Sequence, residues 1–274
     1  MKLIMFSKML KEKSPVELVT LAKEWGLDGY DLCVRPGYAV NPDNAAEELP
    51  RVAALFRAAG LDIPMVTGNF DLLEPEHPTA EPLLKAMGKA NVRLLKLGYF
   101  RYDPQEHDYM AEIERIRVIF GRWERLARRH GVRICYHTHS DKCMGLNGAG
   151  MAHLLAGFDP TLIGAYIDPA HLVVEGEDIA TAVGMVRPWL SLVAVKDVLL
   201  TRIEKNGHGS VQRDWVVAGA GVVDWTAVFA CLRREHYGGP ISVHCEFHVP
   251  ADQFLAAAQR EVAFFRRFVP VLQA

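Results

Sequence analysis

The chain has 274 residues, 50% of them hydrophobic and 23% charged, with a formal net charge of −2. It is long enough to bury a large core, and its charge balance offers no overall basic field to nucleic acid or anionic lipid. No stretch approaches the roughly 20 apolar residues of a membrane span, and MKLIMFSKML is too short and too interrupted by lysines for a signal peptide.

Short apolar runs suited to buried strands occur at Lys2–Phe6, Gly29–Cys33, Asp62–Val66, Arg93–Leu97, Val132–His137, Ile163–Ile167, Leu190–Val195 and Ile241–Glu246. Amphipathic helical patterns separate them. The first helix opens on Ser14-Pro15-Val16-Glu17, which combines an N-cap serine, a proline at the first helical position and a glutamate three residues after the cap. It stops at Gly26, and the same helix–glycine–strand phrase returns at Gly60, Gly131 and Gly238-Gly239. The basic clusters Arg122–Arg129 and Arg260–Arg267 alternate with apolar residues and read as solvated outer helix faces. The five cysteines include no C-x-x-C pair and read as small buried hydrophobes of a reduced compartment. A soluble, cytoplasmic protein is the expectation.

Eight strand candidates alternating with helices, without a linker, predict an α/β fold: a single (β/α)8 TIM barrel over residues 1–274. The alternative is an open doubly wound sheet, but no G-x-G-x-x-G follows the first strand. Gly219-Ala220-Gly221 reads as a tight turn into a helix capped by Asp224.

In such a barrel, functional groups gather at the C-terminal strand ends. The second strand ends near Asp31. The fourth gives Lys96 and then Tyr99, the fifth His137-Thr138-His139, the sixth Asp168-Pro169-Ala170-His171, the seventh Lys196-Asp197 and the eighth His244-Cys245-Glu246. If the eighth strand continues, Val243 and Cys245 face the helices while His244 and Glu246 face the barrel interior. A glutamate there needs a cation, a metal or a proton. Lys196-Asp197 reads either as an internal structural ion pair or as a site with a functional lysine. Asp141 and Cys143 read as loop residues, and Thr201–Asp214 as a polar loop placed to act as a lid.

These elements resemble the sugar phosphate isomerase/epimerase family, the xylose isomerase-like TIM barrels. Asp168-Pro169-Ala170-His171 is similar to its D-x-G/A-H element, and Val195-Lys196-Asp197-Val198 to its K-D element. Gly219 to Trp225 is similar to its G-x-G-x-(I/V)-D-W turn, and Gly239 to Glu246 to its closing strand. The resemblance implies a sugar isomerase or epimerase acting on a small ketose or related polyol. It implies a divalent metal, Mn or Mg favoured over Zn, held by Asp168, Glu246 and His137. His137 stands where the family has a glutamate, and Ala194 replaces its strand-seven histidine. Glu246, His137 and Lys196 are the expected catalytic residues. His171 is assigned to substrate by the resemblance, with His139, Tyr99 and Trp215 as further sugar contacts.

The competing readings are an inosose dehydratase-like lyase and a non-catalytic sugar-binding barrel that has lost its metal site, for which Ala194 is the argument. A three-zinc DNA-repair enzyme on the same barrel is disfavoured by Ala194 and by the lack of a basic face. The expected partner is a small carbohydrate, with no nucleic acid and no membrane. A homo-oligomer is compatible with the sequence.

Overall fold

The computed structural model describes residues 1–269, so the last five residues of the barrel expected over 1–274 lie outside the described residues. The first half of the chain runs β1 (Lys2–Phe6), α1 (Pro15–Trp25), β2 (Gly29–Cys33), α2 (Ala45–Ala58), β3 (Asp62–Thr67), α3 (Ala80–Ala90), β4 (Leu94–Lys96), α4 (Tyr109–His130) and β5 (Arg133–His137). It continues through α5 (Gly148–Leu155), β6 (Ile163–Ile167), α6 (Pro169–Val174), α7 (Ile179–Val186) and β7 (Leu190–Val195). After these come β8 (Asp197–Lys205), β9 (His208–Val216), α8 (Trp225–Arg234), β10 (Pro240–Val243) and α9 (Phe254–Arg266). Eight parallel strands close in the order β1-β10-β7-β6-β5-β4-β3-β2, with Lys2 opposite Pro240 at the seam: a TIM barrel.

Alternation along each strand divides the core. Ile4, Met65, Cys135, Tyr166, Leu192 and Ala194 pack together as one small buried cluster. Their neighbours Leu3, Met5, Ile134, Ile167, Val193 and Val195 join the larger apolar cluster shared with the helices. Counting on by twos from Leu192 and Ala194, Lys196 continues the same face just past the end of β7. Gly164 is required by its neighbour, since a Cβ there would stand 2.1 Å from Ser191 Oγ.

The local signals act as expected at α1, where Ser14 and Glu17 form a complete capping box and Gly26 ends the helix at φ 69°. The end of α8 differs. His236, at φ 51°, takes the left-handed position in place of the expected glycine pair. The last barrel strand stops at Val243 and not at Glu246, because Cys245 turns to φ 49°. Even so, Val243 and Cys245 join the helix-side core as expected.

The loop expected at Thr201–Asp214 is instead an antiparallel hairpin, β8 with β9, paired from Asp197–Val216 to Lys205–His208. Its two-residue turn is Asn206-Gly207, with φ 54° and 77°, the geometry that matches the twist of paired strands. Asn-Gly was the signal for it.

Asp197 is not the partner of Lys196. Its Oδ2 accepts the Gly219 N–H at 2.9 Å, the Gly221 N–H at 3.3 Å and the Trp225 indole N–H at 3.1 Å. Its Oδ1 accepts the Val198 N–H at 2.8 Å and the Val223 N–H at 3.3 Å. A Cβ on Gly221 would lie 2.1 Å from Asp197 Oδ1, so the turn can wrap the carboxylate only with glycine there. Replacing Asp197 with Ala leaves these donors unpaired in a fully buried place. We expect a loss of about 3 kcal/mol or more in urea unfolding. A loss under about 0.5 kcal/mol would show that water replaces the carboxylate.

Candidate active site

A small, partly open cleft lies at the C-terminal ends of the barrel strands. Five of the expected site residues line it: Tyr99, His137, His139, Lys196 and Glu246. Asp168, His171 and Trp215 stand behind that lining. Asp168 and His171 are buried, and Trp215 packs against both Lys196 and His171, with its ring 4.4 Å from Lys196 Nζ and 5.1 Å from the imidazole.

The centre of the site is an ion-paired cluster. Lys196 Nζ lies 2.7 Å from Glu246 Oε2 and 3.6 Å from Asp168 Oδ2. The other oxygen of Glu246 accepts from Lys8 Nζ at 2.5 Å. Lys8 stands in the short 3-10 turn Ser7–Leu10 that follows β1. Burial opposes the charge on Glu246, but Lys196, His244 and Lys8 outweigh it and hold the carboxyl well below the usual range. Asp168 is likewise held well below its range, because the charge of Lys196 overcomes burial. Burial works against the Lys196 charge too, yet the two carboxylates raise its pKa above the ordinary lysine value.

Asp168 has a second task. Its Oδ1 caps α6 by accepting the Ala170 N–H at 3.0 Å and the His171 N–H at 3.3 Å. Oδ2 remains, buried and without a hydrogen-bond partner. His137 Nε2 faces it at 3.6 Å and His171 Nε2 at 3.8 Å. Burial pushes both imidazoles well below the ordinary histidine pKa, so they are neutral. The backbone N–H of Ser140 donates to His171 Nδ1 at 3.3 Å, which leaves the proton of the neutral ring on Nε2. His139 is set the other way. Its Nδ1 lies 2.8 Å from the Ser140 carbonyl, which can only accept, so Nε2 of the neutral ring carries the free lone pair. Burial lowers its pKa to about 4. Tyr99 holds His137 through a 2.7 Å contact between its hydroxyl and Nδ1.

Two residues of the loop after β5 flank the site, one of them bound to the hairpin. Asp141, after β5, accepts from Arg213 of β9 at 3.2 Å. Cys143 is buried, with its Sγ 3.7 Å from His139 Nδ1.

These donors do not fit the divalent ion that the family resemblance implies. Both oxygens of Glu246 are taken by ammonium groups, and Lys196 Nζ sits within reach of the remaining Asp168 oxygen. His171 presents a proton where a ligand needs a lone pair. Ala194 offers no donor and is buried in the inner apolar cluster. Among the described residues, no group of three His, Cys, Asp or Glu side chains is arranged to hold a metal ion. The set Asp168, Glu246 and His137 is gathered near one point without forming a coordination sphere.

Several cleft residues went unassigned from the sequence. Lys8 and Arg35 each stand two residues past the end of β1 and β2, so the strand-end rule carried that far would have found them, whereas Lys96 is read at a strand end but given no role. Arg35 donates from Nε to the Gly68 carbonyl at 2.9 Å and lies 3.9 Å over the Phe70 ring. His244 meets the Tyr166 hydroxyl at 2.8 Å through Nε2. Lys96 is the chemically distinct one. Its Nζ lies 4.0 Å over the Tyr99 ring, and among the described residues it has no carboxylate within ion-pair distance. Burial, with Arg35 second, lowers its pKa to about 7.

The chain matches the family of xylose isomerase-like TIM barrels over residues 19–268. It belongs to this family. A 3-keto-D-glucoside 4-epimerase from E. coli has the same fold, with TM-score 0.73 and 17% identity over 97% of this chain and 99% of that one. D-psicose 3-epimerase from Clostridium cellulolyticum H10 gives TM-score 0.73 and 14% identity over 98% and 99%. Inosose dehydratase from Lacticaseibacillus casei is 26% identical over 152 residues, 53% of this chain and 51% of that protein. The match thus spans about half the length of that curated relative. No helix among the described residues is long and apolar enough to cross a membrane.

The shift on Lys96 has a direct readout. Its amine loses its proton as pH rises through about 7, so trace acetylation of the folded protein should show Lys96 reactivity rising with a midpoint there. A midpoint at the ordinary lysine value, about 10.4, would mean that water reaches the amine freely.

Proposed function

We propose that the chain is an isomerase or epimerase of a small ketose or related polyol, which removes a proton next to a carbonyl and returns it at another carbon or on another face. The observation that supports this best is the cluster itself: an ionised Glu246, braced by Lys196 and Lys8, shares one cleft with the neutral imidazoles His137 and His139. The lining of charged and polar groups, Lys8, Lys96, His137, His139, Lys196 and Glu246, suits a small polyhydroxylated molecule. Resting Glu246 is a weak base because its charge is so well neutralised. A substrate oxygen that engages Lys196 withdraws one of those partners, and the carboxylate gains basicity as the carbonyl is polarised.

In this reading Glu246 takes the proton and Lys196 stabilises the developing oxyanion. His137, positioned by Tyr99, is the partner acid–base group. The free lone pair of His139 accepts a sugar hydroxyl. Asp168 holds Lys196 and the start of α6. His171 and Trp215 back these groups and are expected to contribute indirectly.

A second reading is a lyase that begins with the same proton abstraction and then expels a hydroxyl. The identity shared with inosose dehydratase favours it. Incubating the protein with ketopentoses, ketohexoses and inososes in deuterated water tests both. Epimerisation or isomerisation puts deuterium on carbon without loss of mass to water, whereas the lyase gives a product lighter by one water. Glu246→Gln is expected to slow exchange by about 100-fold or more. Full turnover by this variant would remove Glu246 from the chemistry. Sugar binding without exchange across the whole panel would favour a binding barrel.

A further inference from the structure

We propose that the Lys196 ammonium is a built-in substitute for a divalent ion, so that the site functions without metal. The role of this charge in turnover rests on the proton-transfer reading above, but its effect on metal binding does not.

The argument begins with two carboxylates brought close in a buried place. Asp168 is fully buried and the Glu246 side chain is 19% exposed, so their charges need compensation. Lys196 Nζ touches one and approaches the other, at 2.7 and 3.6 Å. Lys8 meets the remaining Glu246 oxygen. Two carboxylates therefore face two ammonium groups, and the cluster is balanced as it stands. A divalent ion would enter against two like charges. The Lys196 side chain is 6% exposed, and its ammonium packs over Trp215 of the hairpin, which holds it beside the two carboxylates. Beneath it, Ala194 closes the barrel with Tyr166 and Leu192 and supplies no ligand.

The ammonium can do what the proposed reaction asks. As a base removes the proton next to the carbonyl, the C–H pair becomes part of the new C=C bond and the C=O π pair moves onto oxygen. An N–H of Lys196 meets that oxygen with charge and a hydrogen bond, and reprotonation at carbon reverses the electron flow. No oxidant, reductant or external ion is consumed.

The test is calorimetric titration of the chelator-treated full chain with MnCl2. Alongside it runs a Lys196→Met/Ala194→His variant, shown by circular dichroism to be folded. Wild type is expected to bind no Mn2+ up to millimolar concentration. The double variant, with the ammonium gone and an imidazole restored, is expected to bind one equivalent at least tenfold more tightly. A wild type that takes up one equivalent at micromolar concentration overturns the proposal. So does a folded variant that binds no better than wild type. Neither measurement needs a substrate, so failure of the sugar reading and failure of this one are separable.

Discussion

Two buried carboxylates at the mouth of a barrel cannot stand without positive charge beside them, and the site is organised around that need. Asp168 and Glu246 come from opposite sides of β7, on the loops after β6 and β10, and Lys196 rises between them from the end of β7. The carboxylates hold the lysine charged, and the lysine holds them ionised. The same burial that makes this pairing necessary sets the charge of its neighbours. The imidazoles around Asp168 stay neutral, and Lys96, which has no such partner, is pushed toward neutrality.

A second buried carboxylate network supports the first without joining it. Asp197 follows Lys196 directly, but alternation turns it to the opposite face, where backbone amides and one indole surround it. These bonds join the root of the hairpin to the Gly219–Gly221 turn and the start of α8. They fix the point from which Lys196 projects, and the returning strand of the same hairpin, where Trp215 pairs with Val198 at the root, brings that indole against the lysine. One dipeptide thus serves both the chemistry and the scaffold, and its two halves do not contact each other's partners.

Membership in the family of xylose isomerase-like barrels explains the order of the elements and the position of the cleft. The proposal of a metal-free site starts from His137 and Ala194, where the family resemblance implies a glutamate and a histidine. Under the proposed metal-free reading, an imidazole at 137 and a methyl group at 194 leave too few donors for a dication. The charge requirement of the two remaining acids is met from within the chain.

Strand and helix positions were legible because they rest on local physics: apolar runs for strands covered on both faces, a capping box at Ser14, glycines at helix ends. The hairpin was misread as a loop although Asn206-Gly207 announced it, because its exposed strands lack the apolar pattern of the barrel. The sequence by itself determined the barrel, the set of polar strand ends and the doubtful status of a metal, since each follows from residue type at a strand position. Only the tertiary structure decided the pairings. Lys8 and Glu246 are 238 residues apart and meet because barrel closure sets β1 beside β10. The histidine tautomers, the separation of Lys196 from Asp197 and the isolation of Lys96 depend likewise on which groups the fold brings within a few ångströms, which local pattern does not encode.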